Sequence, residues 1–337
     1  MKHWQQLSIE DRLDVLEITS AKMNLPQLVI EKDWWVTLVL KALSTTRHFD
    51  KMSFKGGTSL SKGWKLINRF SEDIDIAMCR KGEFSISSPS SNQLTKVRRL
   101  ARHYVIRELP NEISESLKAM GIVDFSVEPM LTRTDIEGNT TELRATTHPS
   151  TLFVNYKSIL PKESEYIEPK VKIEISCLSM DEPVEDKTIR SFMANFLKEE
   201  EDIEVIFPTV IPTRTFLEKL FLLHEEFQKE RPRSNRMSRH LYDLQKIMDT
   251  EFGKAIADRE LYNSIVNHRS IFNKVEGVNY ELHNPSTLSF IPPESIINDW
   301  EKDYNSMQEH FIYENNSLSF EELILKMKEL TKRIRNI

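Results

Sequence analysis

Hydrophobic residues recur at helical spacing in the first 50 residues and again after Pro212, and they alternate with polar residues in much of the region between. Ser8 is placed to cap a first helix with an acidic first turn at Asp11, and its hydrophobic positions are Leu13, Leu16 and Ile18. A second helix is predicted over residues 28–43, with an apolar face of Trp35, Leu38, Val39 and Ala42. The pattern predicts helices at both ends of the chain and strands between them.

Two aspartates lie in residues 54–78. The pattern of this segment predicts a strand end, a Gly-Gly turn, a short helix and a second strand. Asp73 and Asp75 are one residue apart on the second strand, so both side chains point to the same side. Ile74 and Ile76 then face the core. A carboxylate pair beside a turn without side chains is suited to holding Mg²⁺ and a triphosphate together. The segment predicts a nucleotidyltransferase.

The Gly-Gly turn supplies the predicted phosphate side of this site. Gly56 and Gly57 let the backbone approach a phosphate closely or adopt positive φ. Thr58 or Ser59 is placed to cap the next helix, whose free N–H groups attract an anion. Its apolar positions are Leu60, Trp64 and Ile67. We therefore expect the nucleotide to be bound at Gly56, Gly57, Thr58 and Ser59.

A third carboxylate is predicted on a later strand, residues 170–177, which alternates strictly between apolar and polar positions. Its polar face carries Lys170, Lys172, Glu174 and Ser176. Glu174 is positioned to join the aspartate pair if this strand lies beside theirs. The alternative interpretation is an edge strand with a solvated polar face.

Two charged residues stand out in the helical C-terminal part. Lys219 lies on a strongly apolar helix, where it either extends to solvent or points at a ligand. Asp243 lies beside the apolar stripe of a later helix, as a cap, as a partner of an arginine, or as a site residue. We expect Lys219 to neutralise a triphosphate, and Asp243 to orient Lys219 or to read the base.

Positive charge is concentrated locally in a chain that is acidic as a whole. The 337 residues carry a formal net charge of −6, which argues against a generally basic nucleic-acid coat. Two stretches are basic, an amphipathic helix from Gln93 to about Glu108 and a connection over residues 229–240. Such runs form either solvated faces or phosphate contacts. The candidate RNA contacts are Lys96, Arg99, Arg102, Arg236 and Arg239.

The cysteines and the length of the apolar runs indicate where in the cell the protein is located. Cys79 and Cys177 are far apart and follow apolar runs, so we expect buried free thiols in a reducing compartment. No apolar run approaches the roughly 20 residues of a membrane span, and no signal-peptide pattern is present at the N-terminus. These observations predict a cytoplasmic protein.

Several motifs in order resemble the AbiEii/AbiGii-type nucleotidyltransferase toxins of the DNA polymerase β-like superfamily. They are Phe54-Lys-Gly-Gly-Thr-Ser-Leu, Arg69-Phe-Ser-Glu-Asp-Ile-Asp-Ile, Thr213-Arg-Thr-Phe-Leu-Glu-Lys-Leu and Arg239-His-Leu-Tyr-Asp-Leu. Glu31-Lys-Asp-Trp-Trp35 also resembles this family's N-terminal segment, although a charged first turn followed by two packing aromatics explains it as well. The resemblance spans about residues 28–248, beyond which the chain matches only as a helical tail.

The resemblance implies a bacterial toxin of a toxin–antitoxin or phage-defence system. Such a toxin would transfer a nucleotide from a nucleoside triphosphate to RNA, with the tRNA acceptor end as target, Mg²⁺ as cofactor and a cognate antitoxin as partner. Carried over to this sequence, the phosphate-side turn contains Gly57 and Ser59, and the metal pair is Asp73 and Asp75. Lys219 corresponds to the family's essential lysine and Asp243 to its late aspartate. Ser71 matches the position at which an antitoxin kinase phosphorylates some relatives.

We therefore predict an α+β protein in three parts. Residues 1–50 form an N-terminal helical segment, residues 51–210 a mixed-sheet nucleotidyltransferase core, and residues 211–337 a helical C-terminal domain. A cleft between core and C-terminal domain is expected to bring Lys219 and Asp243 toward the aspartate pair. Two other functions fit the same residues: nucleotide transfer to a small molecule or a protein hydroxyl, and nucleotide binding without turnover by an interaction protein.

Overall fold

The computed structural model describes residues 3–86, 90–135, 137–161, 167–179, 183–197 and 203–336. Over these residues it contains ten α-helices. They are α1 (Ile9–Met23), α2 (Gln27–Leu43), α3 (Gly56–Lys62), α4 (Ser91–Arg107), α5 (Leu109–Ala119), α6 (Pro212–Phe227), α7 (Ser238–Met248), α8 (Arg259–Phe272), α9 (Ile297–His310) and α10 (Phe320–Arg335). None of the helices in the described ranges combines the length and apolar character needed to cross a membrane. The cytoplasmic location stays a prediction.

Nine strands are formed by the described residues. They are β1 (Met52–Lys55), β2 (Ile74–Met78), β3 (Phe125–Pro129), β4 (Thr132–Thr134), β5 (Thr140–Glu142), β6 (Ser150–Tyr156), β7 (Lys170–Ser176), β8 (Val184–Arg190) and β9 (Glu204–Val210). Seven of them form one sheet in the order β3-β6-β7-β2-β1-β9-β8, and β4 and β5 form a separate hairpin. Because β2 runs parallel to β7 and antiparallel to β1, the sheet is mixed, and the predicted α+β class is confirmed.

The chain divides into two compact units. The first contains residues 1–63 and 71–209, and the second contains residues 64–70 and 210–337. The segment 64–70, which connects the Gly-Gly turn to the aspartate pair along the chain, thus belongs to the second unit. The division into three domains stays a prediction.

The first two helices agree with the sequence pattern in extent but not in every buried face. Ser8 caps α1, because its Oγ accepts a hydrogen bond from the backbone N–H of Asp11 at 3.1 Å. Leu16 is fully buried, but Leu13 and Ile18 are 37% and 49% exposed. The approximate helical spacing therefore placed these two side chains on the wrong face of α1.

Helix α2 is buried on almost all sides, including its charged turn. Trp34 and Trp35 pack in the core, as expected if the charged first turn is followed by two packing aromatic residues. Lys32 Nζ lies 2.5 Å from a carboxylate oxygen of Glu72, and Asp33 Oδ1 accepts from Lys62 Nζ at 2.5 Å. Charges are costly to bury unless they are paired, so these two contacts explain how α2 holds charge inside the core.

The segment 64–70 is bonded to later residues of the second unit. The backbone N–H of Phe70 donates to the carbonyl of Phe311 at 2.7 Å, and the indole N–H of Trp64 donates to the carbonyl of Val210 at 2.9 Å. Arg69 forms a β-bridge with Ile312. This connecting segment is therefore fixed on both its backbone and its side chains.

Both cysteines are free thiols. Cys177 is buried, and burial raises the pKa of its thiol to about 11. Cys79 is only half-buried, so the expectation of burial is confirmed for one of the two residues.

Candidate active site

The aspartate pair lies at the start of a central strand. Strand β2 begins at Ile74, directly after Asp73, and contains Asp75. Ile74 and Ile76 are fully buried, whereas the two aspartates are half-buried. The alternation of side chains along the strand therefore places Asp75 on the polar face, as predicted, and Asp73 directly precedes the strand.

Glu174 lies beside Asp75. Strands β2 and β7 are parallel neighbours, and their register pairs Asp75 with Glu174. Strand β7 lies between β6 and β2, so the alternative of an edge strand is wrong. The sheet brings Glu174 next to the aspartate pair, as the sequence predicted.

Lys172 is a neighbour of these carboxylates that the sequence reasoning did not select. Its Nζ lies 2.7 Å from Glu174 Oε1. Burial would lower the pKa of Lys172, but the hydrogen bond to Glu174 and the negative charges of Asp73 and Asp75 outweigh this effect and raise the pKa. The sequence could have indicated Lys172, because the alternating pattern of β7 already assigns Lys172 and Glu174 to the same face.

Gly56 lies directly against Asp75. Its φ is +78°, a conformation that L side chains rarely adopt, and a Cβ built on it would lie 2.1 Å from Asp75 Oδ2. Glycine is required here because it leaves the space that the Asp75 carboxylate occupies. This close approach of backbone and carboxylate differs from the predicted approach of backbone and phosphate.

Replacing Gly56 with Ala is expected to destabilise the protein and to reduce nucleotide transfer at least tenfold, because Asp75 must move. Gly138→Ala is a matched control: Gly138 also has positive φ, at +87°, but a Cβ there meets nothing within 4 Å. Both variants carry the backbone strain of roughly 1–2 kcal/mol, so any further loss at Gly56 comes from the collision with Asp75. Thermal unfolding and transfer of labelled nucleotide measure the two effects. Equal behaviour of the two variants would contradict this account.

The predicted Gly-Gly turn is wrong as a separate element, because α3 begins at Gly56 directly after β1 ends at Lys55, and the helix is shorter than predicted. Helix α3 starts at Gly56 itself and ends at Lys62, so Thr58 and Ser59 lie inside it and do not cap it. Ser59 Oγ donates to the carbonyl of Gly56 at 2.9 Å. The predicted apolar positions Trp64 and Ile67 lie beyond the helix, which ends at Lys62 with Gly63 as its C-cap.

A hydroxyl pair connects α3 to the start of β2. Thr58 is fully buried, and its Oγ1 lies 2.5 Å from the carbonyl oxygen of Asp73 and 2.9 Å from Ser71 Oγ. A carbonyl can only accept, so Thr58 donates its one proton to Asp73, and the Ser71 hydroxyl then donates to Thr58. Thr58 thus positions the backbone of the first aspartate.

The second unit contains a buried ion cluster around Asp243. This carboxylate is fully buried and receives two hydrogen bonds from the Arg69 guanidinium, at 2.7 and 2.8 Å. Lys219 Nζ lies 2.8 Å from Asp243 Oδ2. The structure therefore brings together the predicted residues Lys219 and Asp243. It also adds Arg69, which lies in the Arg69-Phe-Ser-Glu-Asp-Ile-Asp-Ile motif but was not selected.

The cluster contains more positive than negative charge. Burial would raise the pKa of Asp243, but Arg69 and Lys219 outweigh it and hold the pKa below its ordinary value. Burial lowers the pKa of Lys219, and it lowers that of the neighbouring His240 well below 6.5, so this histidine is neutral. One carboxylate thus faces two cations in a nearly dry environment. Such an excess of positive charge favours a bound anion.

The candidate RNA contacts differ in exposure. Lys96 and Arg99 are exposed on α4, whose opposite face is buried at the predicted positions Leu94, Val97, Ala101 and Tyr104. Arg102 is only 5% exposed, so it is not part of the exposed basic face, which corrects the prediction for this residue. On the connection before α7 and at its start, Arg236 is exposed and Arg239 is half-buried.

The aspartate pair fits the chemistry of a divalent metal ion. Carboxylate oxygens are the donors that Mg²⁺ prefers, and the absence of a Cβ at Gly56 leaves Asp75 room beside the backbone. The described residues contain no group of three or more His, Cys, Asp or Glu side chains arranged to hold a metal. Glu174 as the third ligand therefore stays a prediction.

Two aspartates at the start of a central strand, a helix that begins with Gly56 against Asp75, and a mixed sheet agree with the predicted class of nucleotidyltransferase. The family of nucleotidyl transferase AbiEii toxins of type IV toxin–antitoxin systems matches residues 38–326, and the chain belongs to this family. The predicted resemblance is confirmed. Membership implies a nucleotide substrate and an antitoxin partner.

Solved structures are similar over most of their length at low identity. JHP933 from Helicobacter pylori is 16% identical over 93% of this chain and 94% of its own, with a TM-score of 0.43. MenT4, a nucleotidyltransferase toxin from Mycobacterium tuberculosis, is 17% identical over 92% of both chains, with a TM-score of 0.41. No curated protein sequence matches the chain.

Proposed function

We propose that this toxin transfers a nucleotide from a nucleoside triphosphate to RNA, with Mg²⁺ as cofactor and the tRNA acceptor end as target. The observation that carries the proposal is the face of the sheet on which Asp73, Asp75 and Glu174 meet beside Gly56. A hydroxyl oxygen of the RNA would attack the α-phosphorus of the triphosphate, and the bond to pyrophosphate would break.

The first unit supplies the groups that act at the reacting atoms. Asp73 and Asp75 would hold the metal, which when bound neutralises phosphate charge and lowers the pKa of the attacking hydroxyl. Glu174 would complete the ligand set or accept the hydroxyl proton. Gly56, Gly57 and Ser59 would lie on the phosphate side. Thr58 would act through the backbone of Asp73, because its hydroxyl bonds that carbonyl.

Lys219 would supply positive charge for the triphosphate. Lys219 is the ammonium of the ion cluster, and one carboxylate does not neutralise both Lys219 and Arg69. Asp243 would orient Lys219, because its Oδ2 accepts from Nζ while Arg69 holds the carboxylate from the other side. A role of Asp243 in reading the base has no support in these contacts. The meeting of Lys219 with the aspartate pair in one cleft stays a prediction.

The exposed cations of α4 support RNA as the acceptor. Lys96 and Arg99 present two charges to solvent on a helix whose other face is packed in the first unit. Phosphate binding needs only such local positive charge, even in an acidic chain. Arg236 and Arg239 extend the candidate set. Phosphorylation of Ser71 by an antitoxin kinase stays a prediction of the family resemblance.

Incubating the purified toxin with total RNA and each labelled triphosphate in turn tests the function. We expect label in RNA and release of pyrophosphate with one or more nucleotides. Label on small molecules or protein would favour nucleotide transfer to a small molecule or a protein hydroxyl. Nucleotide binding without pyrophosphate release would favour an interaction protein without turnover.

The double variant Lys96→Gln, Arg99→Gln tests whether α4 contacts the RNA. We expect weaker RNA binding and a lower slope of log affinity against log salt, by about 0.7 for each lost phosphate contact. Lys22→Gln, Lys118→Gln is the matched control, because both residues are exposed lysines of the same unit on other helices. Equal RNA affinity of the two double variants would argue against a contact on α4.

A further inference from the structure

Lys172 lies on the face of the sheet that carries Asp73, Asp75 and Glu174, which we call the carboxylate face. The function proposed above gives Lys172 no role. Its Nζ is 2.7 Å from Glu174 Oε1, and Glu174 is the register partner of Asp75. The register also pairs Ile74, which separates the two aspartates, with Ile173, which separates Lys172 from Glu174. Lys172 therefore faces the same side as Asp73, Asp75 and Glu174.

The charges around Lys172 explain this position. Three carboxylates on one face of neighbouring strands repel one another, and a cation among them reduces that repulsion. Lys172 bonds Glu174, and Glu174 is the cross-strand neighbour of Asp75, so the ammonium lies on the face of the sheet that carries this negative charge.

The ion pair can also open. The side chains of Lys172 and Glu174 are 34% and 31% exposed, so neither is locked in the core. A lysine ammonium on a flexible four-carbon stem can move to solvent at low cost, unlike the planar guanidinium of a bidentate arginine. Displacement of Lys172 is therefore compatible with the fold.

We propose that Lys172 is a built-in counter-ion that a divalent metal must displace from the carboxylate face. The inference rests on the proposed function, because it takes Asp73 and Asp75 as the metal ligands. Free metal then binds weakly, since it competes with a tethered ammonium for the same carboxylate charge. A metal that arrives with a triphosphate brings an anion to which the released ammonium can turn. Lys172 thus favours uptake of metal and nucleotide together.

Calorimetric titration of the nucleotide-free toxin with Mg²⁺, and with Mn²⁺ as a second probe, tests the proposal. We expect Lys172→Met to bind metal about fivefold more tightly than the wild type, the fold-change expected for losing one partly exposed competing ion pair. Lys172→Arg keeps the charge in a group that a metal displaces less easily, so it should bind metal no more tightly than the wild type. Lys170→Met is the matched control, because Lys170 lies on the same strand and the same face but bonds Glu168.

The outcomes separate this proposal from the function on which it rests. If Asp75→Asn binds metal as well as the wild type does, the metal site itself is wrong. If Asp75→Asn loses metal while Lys172→Met binds no more tightly than the wild type or the Lys170→Met control, the counter-ion role is wrong and the metal site stands. Undetectable metal binding by Lys172→Met would also overturn the role. Circular dichroism and thermal unfolding of each variant establish that it is folded.

Discussion

Asp75→Asn is expected to abolish transfer of labelled nucleotide, with a loss of at least ~10²-fold, while the protein stays folded. The loss should exceed the 10–100-fold that is typical for groups supporting a metal ligand, because Asp75 is itself the proposed ligand. Asparagine keeps the shape of the side chain, so the tight packing against Gly56 is preserved. The variant therefore removes one negative charge from the carboxylate face and keeps the size of the side chain.

Asp186→Asn is the matched control for this experiment. Asp186 is an exposed aspartate on β8, at the edge of the same sheet and far along the strand order from β7. We expect it to leave transfer unchanged. Full activity of Asp75→Asn, with thermal unfolding equal to that of the wild type, would refute the assignment of this face as the active site.

Asp243→Asn is expected to lower the free energy of unfolding by about 3–5 kcal/mol, which is typical of a buried ion pair that loses one partner. The change leaves Arg69 and Lys219 buried without the carboxylate that both contact. The folded-state pKa of Asp243 is depressed, so its contribution is fully present at neutral pH and is lost only as pH falls through that value. Urea unfolding at pH 7 measures the whole effect.

Lys219→Met separates stability from activity in the same cluster. It leaves the bidentate contact of Arg69 with Asp243 intact and removes a buried cation whose pKa burial already lowers. We expect a change in stability of less than about 1.5 kcal/mol, together with loss of nucleotide transfer. If Lys219→Met were as unstable as Asp243→Asn, Lys219 would be a structural partner of Asp243. If Lys219→Met still transferred nucleotide, Lys219 would not be the residue that neutralises the triphosphate.

Local patterns predicted the chemistry of the sheet. The one-residue spacing of Asp73 and Asp75 placed them on one face, and the alternation of β7 selected Glu174. The placement of Asp75 and Glu174 agrees with the structure because the orientation of side chains along a strand depends only on the strand. The parallel pairing of β2 with β7 then converted two separate patterns into one face.

Long-range packing decided what these patterns could not. Arg69 and Asp243 lie 174 residues apart, and no spacing rule pairs an arginine with a particular distant carboxylate. Arg102 has the same place in a basic run as its exposed neighbours, yet the packing of α4 buries it. Helix α3 ends at Lys62, where Gly63 is the C-cap and Lys65 has a left-handed φ of +54°, although the apolar pattern would continue the helix.

The sequence by itself thus predicted the carboxylate pair, its glutamate neighbour and the family. Only the tertiary structure showed that Gly56 makes room for Asp75, that Arg69 joins Lys219 on Asp243, and that Lys172 lies among the carboxylates. The physical reason is that backbone periodicity is a local property. Burial and ion pairing instead depend on which distant segments the fold brings within a few ångströms of each other.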